Sequence, residues 1–158
     1  MDPVTIANEA TLIYDNITKN SNAVVTRILS LYDLTATKEA LLDSYTPGQT
    51  ITYITRVENT GSASLYNLTI VDDLANGTLQ YIDTSIEGYL NGSPIEVDVQ
   101  KTANTVTFKI DNVLNPNDNV LIIFETTTPT TNPEQITNTQ TITANGGSTT
   151  GPIVTAKP

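Results

Sequence analysis

The chain has 158 residues, enough for one domain or for one domain with an appended segment. Charged residues make up 15% and apolar residues 38%, both below the usual share, so neutral residues, chiefly Thr and Asn, must cover much of the surface. Seven Lys and Arg against seventeen Asp and Glu give a net charge of -10, which repels phosphate backbones and anionic lipid, so neither nucleic acid nor an acidic membrane is an expected partner. The sequence has no Cys, His or Trp, which removes thiol nucleophiles, the usual imidazole base and nearly every zinc or copper site. An enzyme would have to work with carboxylates alone, as glycosidases do, and no Asp and Glu pair stands out by position. No enzymatic turnover, cofactor or metal is therefore expected.

The start, Met1-Asp2-Pro3, lacks the basic and apolar regions of a signal peptide, and no apolar run approaches the ~20 residues of a membrane span. The Thr-rich, charge-poor surface nevertheless suits an extracellular protein. Residues 1–30 read as strand, polar turn, strand and resemble the end of the chain. Ile6-Ala7-Asn8-Glu9-Ala10-Thr11-Leu12 lies over Ile136-Thr137-Asn138-Thr139-Gln140-Thr141-Ile142, and with a small gap Ala23-Val24-Val25-Thr26 lies over Pro152-Ile153-Val154-Thr155. Two hairpins in a Thr-rich protein look alike by composition, or the terminal hairpin is duplicated. In the second case the N-terminal copy is a closing hairpin without a domain to close, suited to pairing with the sheet edge of a neighbouring subunit.

From there apolar and polar residues alternate with a period of two, which predicts an all-β chain with one face of each strand in a core. Strands are expected near 32–40, 50–57, 65–74, 78–86, 94–100, 104–110, 119–128, 135–144 and 152–156. Turn residues separate them at Tyr45-Thr46-Pro47-Gly48, Asn59-Thr60-Gly61, Asn76-Gly77, Asn91-Gly92, Asn115-Pro116-Asn117-Asp118 and Asn145-Gly146-Gly147. Short strands at this spacing indicate a two-sheet sandwich over 31–158, with 1–30 as a separate connector hairpin.

Several of these segments resemble the repeat of bacterial and archaeal surface proteins known as "domain of unknown function eleven". They are Leu34-Thr35-Ala36-Thr37-Lys38, Tyr45-Thr46-Pro47-Gly48-Gln49-Thr50-Ile51-Thr52-Tyr53, Val57-Glu58-Asn59-Thr60-Gly61, Asn67 to Leu74 and Ile136 to Ile142. Glu58 and Ala75 depart from the usual pattern. The resemblance covers about four fifths of the chain and implies an immunoglobulin-like sandwich used as a stalk or fibre unit. A single such domain with an extra hairpin also resembles subunits of thin surface threads, including endospore appendages, which implies a structural protein on a cell or spore surface. Copies of itself are the expected partners, with an anchor or tip protein besides. Ile6, Asn8, Ala10, Leu12, Tyr14, Ala23, Val25 and Ile28 would face the neighbouring subunit, and Ser30 to Asp33 would form a hinge. The other organisation left open is an adhesin or stalk module cut from a longer surface protein.

Three polar residues fall in phase with core positions. Lys38 shares a face with Leu34 and Ala36, Asp72 with Leu68, Ile70 and Leu74, and Asn138 with Ile136, Gln140 and Ile142. A Lys, an Asp and an Asn pointing inward are costly unless they meet. Surface proteins of this architecture sometimes use such a trio for an internal isopeptide bond, with Lys38 attacking the Asn138 carboxamide and Asp72 shuttling protons. Alternatively Lys38 snorkels and Asn138 bonds backbone. The Asp and Asn residues between 111 and 119 lack the spaced carboxylates of a calcium cage, and Asn115-Pro116-Asn117-Asp118 reads as a type I turn. Sequons begin at Asn16, Asn67, Asn76 and Asn91.

Overall fold

The computed structural model describes residues 4–28, 32–131, 135–145 and 147–156. The chain separates into two compact units, Met1–Leu31 and Tyr32–Pro158. In the larger unit the alternation seen in the sequence becomes two antiparallel sheets packed face to face. One sheet contains β5 (Leu34–Ala40), β6 (Thr50–Asn59), β8 (Gln80–Tyr81), β9 (Glu87–Leu90), β10 (Ser93–Ile95) and β13 (Asn119–Thr127), in the order β10-β9-β13-β6-β5 with β8 also on β13. The other contains β7 (Leu68–Asp72), β11 (Asp98–Lys101), β12 (Val106–Ile110), β14 (Ile136–Ala144) and β15 (Gly147–Ala156), in the order β11-β12-β7-β14-β15.

The inner faces form one core. Ile51, Tyr53 and Val57 from β6 and Val120, Ile122 and Phe124 from β13 meet Leu68, Ile70, Phe108, Ile110 and Ile142 from the opposite sheet, all buried. Tyr53 stacks on Phe124 at 5.4 Å between ring centroids, and Phe124 tilts against Phe108 at 5.0 Å, which anchors the sandwich at its centre. On the outer faces β-branched Thr fits a pleated, half-solvated surface.

Three expected strands are corrected. The 78–86 segment is strand only at Gln80–Tyr81, because Ile82 to Ser85 close a turn through Ser85 N–H donating to the Ile82 carbonyl at 3.1 Å. The 94–100 segment is divided between β10 and β11, which pair with strands of different sheets, so the chain crosses the sandwich at Glu96–Val97. The 65–74 segment shortens to Leu68–Asp72, since Asn67 and Leu74 have φ of 54° and 47°, outside any strand. The Asn115-Pro116-Asn117-Asp118 turn is also corrected: Asn117 has φ 70°, and Asp118 N–H reaches the Asn115 carbonyl at 2.9 Å, which makes it type II. Positive φ also holds Asn16, Asn67, Asn76 and Asn91, the four sequon asparagines, so left-handed turn geometry accounts for Asn at each place.

The smaller unit is a two-part hairpin. Here β1 (Val4–Asn8) pairs with β4 (Val24–Ile28), and β2 (Thr11–Tyr14) pairs with β3 (Ile17–Asn20). From Ile6 to Tyr14 its pairs reproduce those of β14 with β15 when 130 is added to the residue numbers, except that Thr139 opposite Ile153 has no paired counterpart. Ile6 opposite Thr26 becomes Ile136 opposite Ala156, Asn8 opposite Val24 becomes Asn138 opposite Val154, and Thr11 opposite Asn20 becomes Thr141 opposite Thr150. The one-residue register shift between Thr139 and Thr141 has its counterpart between Asn8 and Thr11. The structural correspondence is therefore without a gap and places Val24 on Val154, one residue from the alignment suggested by sequence.

Candidate functional site

Lys38 lies on β5, Asp72 ends β7 and Asn138 lies on β14, and all three side chains are buried between the sheets. The Lys38 Nζ donates to Asp72 Oδ2 at 2.7 Å, with both side chains fully shielded from solvent. It also sits 4.7 Å from the centroid of the Tyr53 ring, whose face favours a cation. Burial pushes the Lys38 ammonium below its ordinary pKa, and the neighbouring Asp72 carboxylate opposes that shift without cancelling it. This is the environment that readies an amine for attack, because a nucleophilic lysine must be free of its proton.

Besides Lys38, two donors hold Asp72, and a further bond steadies one of them. Gln140 Nε2 donates to the same Oδ2 at 2.9 Å, Leu74 N–H donates to Oδ1 at 2.9 Å, and Thr55 Oγ1 donates to Gln140 Oε1 at 2.9 Å. Pairing brings this about directly, since Gln140 stands opposite Asp72 in the ladder between β14 and β7, and Thr55 stands opposite Lys38 in the ladder between β6 and β5.

Asn138 is two residues from Gln140 on the same inward face. Its Oδ1 accepts from Ala75 N–H at 3.3 Å, and its Nδ2 is buried without a hydrogen-bond partner among the described residues. The Tyr53 phenol is pushed up to about 12 by burial, and the adjacent Asn138 amide favours its ionised form, although Nδ2 does not reach hydrogen-bonding geometry. Asn138 and Lys38 thus both border Tyr53. An amide whose carbonyl is bonded and whose nitrogen is unsatisfied is costly as a permanent resident of a core.

The turn after β7 supplies the backbone donors. Leu74, Ala75 and Asn76 all have positive φ, at 47°, 51° and 56°. This left-handed run turns Leu74 N–H toward Asp72 and Ala75 N–H toward Asn138 and Asp73. Strained backbone of this kind concentrates where geometry serves a site.

Lys38 and Asp72 are therefore in direct contact, and Asn138 joins them through Tyr53 and the Leu74–Ala75 turn. Gln140, Thr55 and the two backbone donors carried no role in the sequence reading. Gln140 and Thr55 were accessible to it by period, since each falls in phase with buried neighbours on its strand. The donors were not, because Leu-Ala is no signal for left-handed backbone. Among the connector residues, Asn8, Ala10, Leu12, Tyr14, Ala23 and Val25 are exposed, with Leu12 at 67% and Tyr14 at 77%. The side chains of Ile6 and Ile28, and Ser30–Leu31 of the expected hinge, lie outside the described residues. Among the described residues no cluster of Asp and Glu is arranged to hold a metal ion, and no helix is long and apolar enough to cross a membrane.

No protein-family model matches the chain, so the resemblance to the eleventh domain of unknown function has no support from that side, and no curated protein sequence matches it significantly. Solved structures do match. The major pilin subunit BcpA of Bacillus cereus superposes with a TM-score of 0.62 at 14% identity, over 96% of this chain and 48% of that one. The N-terminal domain of the Streptococcus gordonii adhesin Sgo0707 gives 0.64 at 18%, over 87% and 35%. The pilus backbone RrgB of Streptococcus pneumoniae gives 0.59 at 11%, over 71% and 31%. At these identities the likeness establishes the fold, an immunoglobulin-like β-sandwich. The chain spans between about a third and a half of the proteins it resembles.

Proposed function

We propose that this protein is a structural subunit of an extracellular fibre on a cell or spore surface, assembled from copies of itself and stapled internally by a bond between Lys38 and Asn138. The observation that carries the reading is the buried Lys38–Asp72 pair beside an Asn138 amide with an unpartnered nitrogen. Pilus backbones and adhesins among the structural neighbours support the surface setting, and the exposed apolar hairpin at the N-terminus supports assembly. No substrate is turned over; the staple is a single event within one chain.

The chemistry balances without a cofactor. The Lys38 ammonium passes a proton across the 2.7 Å contact to Asp72, leaving a neutral amine and a carboxylic acid. The Nζ lone pair attacks Asn138 Cγ, and negative charge develops on Oδ1, where Ala75 N–H donates. The acid protonates Nδ2, the Cγ–Nδ2 bond breaks and ammonia leaves. The carboxylate of Asp72 then takes one of the two protons left on Nζ, the other stays as the amide N–H, and a secondary amide links β5 to β14. In a chain with no Cys this bond joins the two sheets as a disulfide would.

In the fibre, residues 1–30 add strands to the neighbouring subunit, and an anchor or tip protein ends the array. Heterologous contacts of this kind propagate unless they close into a ring. The second organisation is an adhesin or stalk module within a longer surface protein. It is favoured by the 130-residue correspondence, which equally suits a hairpin closing a preceding sandwich. Negative-stain electron microscopy of the full chain beside its 1–30 deletion separates them. Filaments from the first alone are the expected result, whereas monodisperse particles from both support the stalk module.

A further inference from the structure

The hairpin of residues 4–28 copies the pairing of the domain's own terminal hairpin, including its register shift. At three of four positions it also repeats the kind of residue found on the face of β14 that meets the core. Ile136, Asn138, Gln140 and Ile142 point inward from β14, and their counterparts are Ile6, Asn8, Ala10 and Leu12. Asn138 is fully buried in its own domain, whereas its counterpart Asn8 is exposed, and a hairpin in water has no need of a carboxamide at that place. Leu12, Tyr14, Val24 and Val25 are 59 to 77% exposed, an apolar surface that a freely solvated hairpin gains nothing by presenting.

We propose that residues 4–28 seat against β7 of a second copy of this chain, in the place that residues 136–156 hold in their own domain. This deepens the fibre reading by specifying the contact: one terminal hairpin is exchanged for its replica, rather than a strand being laid on an open edge. Exchange of like elements between copies costs little, because the same ladder is re-formed. Backbone pairing carries over number for number. Thr141 opposite Val71 and Thr143 opposite Thr69 become Thr11 and Ile13 opposite the same two residues of the neighbour.

One position differs, and it sets the balance. Gln140 bridges Thr55 and Asp72, and Ala10 supplies neither hydrogen bond. The resident hairpin is therefore favoured in an isolated copy, and exchange, favoured by high local concentration, has to precede the Lys38–Asn138 bond, which once formed holds β14 in its own domain. Asn8 meanwhile delivers a carboxamide to the position of Asn138, within the same group as the neighbour's lysine and aspartate.

Because the chain has no cysteine, paired substitutions report on this contact without background. Directly opposed residues of an antiparallel ladder stand about 4.5 to 5.5 Å apart at Cα, within disulfide reach. On a Lys38→Met background, which cannot form the Lys38–Asn138 bond and leaves β14 free to exchange, the full-length double variant Ile13→Cys/Thr69→Cys, oxidised at high concentration, should give a ladder of disulfide-linked oligomers that collapses on reduction. Thr11→Cys/Val71→Cys should behave alike, which guards against one pair disturbing the fold. Tyr14→Cys/Thr69→Cys, one residue out of register, should not link. Adding Ala10→Gln to the first variant should raise the linked fraction about fivefold by restoring the bridge to Thr55 and Asp72. Linkage confined to monomers, or absent from both in-register pairs, overturns the proposal. Filaments without linkage would leave the fibre reading standing with its connector elsewhere, whereas linked dimers without filaments would sink the fibre and keep the docking.

Discussion

Removing the Asp72 carboxylate leaves Lys38 as a buried cation without its counter-charge and takes away the group that moves protons in the proposed staple. Asp72→Ala should cost about 3 to 5 kcal/mol, since breaking a buried pair strands the remaining charge. Chemical denaturation measures that loss, and the variant should also retain its full, unmodified mass. A second test at this scale uses pH. Asn138→Ala cannot form the amide, so Lys38 stays titratable with a folded-state pKa below the ordinary value near 10.5. The unfolded chain then holds the Lys38 proton where the folded chain has released it. Stability must rise with pH from that lowered pKa toward 10.5. Tyr53, raised to about 12, reverses the trend above about pH 10, so the window lies below it. Denaturation midpoints of Asn138→Ala against Lys38→Met/Asn138→Ala should show the rising slope only in the first.

Strands and their inward faces were readable because period two is imposed by the pleat itself, and Lys38, Asp72 and Asn138 each stood in phase with aliphatic neighbours on their own strand. What period two cannot report is the partner across the sandwich. Thr55 and Gln140 acquire their roles from register between strands far apart in sequence, fixed only once the sheets pack. Local chemistry misled at the Leu74–Gly77 turn, where Leu and Ala occupy backbone that ordinarily selects Gly or Asn. It also misled over 78–86, where Ile82 to Ser85 form a turn within one sheet, and over 94–100, where strand-forming residues carry the chain between sheets. Gly88 shows how tightly the second of these segments packs: a Cβ there would lie 2.4 Å from Val97 Cγ2 and 3.2 Å from Ile95 Cγ1. Gly88→Ala should therefore destabilise by about 1 to 3 kcal/mol through overpacking, measured as a lowered denaturation midpoint with unchanged m-value.

The whole molecule joins a sandwich whose buried polar group is suited to covalent closure with a hairpin whose apolar face remains exposed. On the proposed reading the first property makes the module resist unfolding under tension, because a Lys38–Asn138 amide would tie β5 to β14 across the core. On the same reading the second lets that module meet its own kind. Sequence made the duplication visible as similar strings, but only the strand registers show that the two hairpins share pairing, register shift and 130-residue offset. The most direct test is the intact mass of the purified full-length chain beside Lys38→Ala and Asn138→Ala. The staple predicts a wild-type mass about 17 Da below that of the unmodified chain, through loss of ammonia, and unmodified masses for both variants. A wild-type chain at its full mass would contradict it.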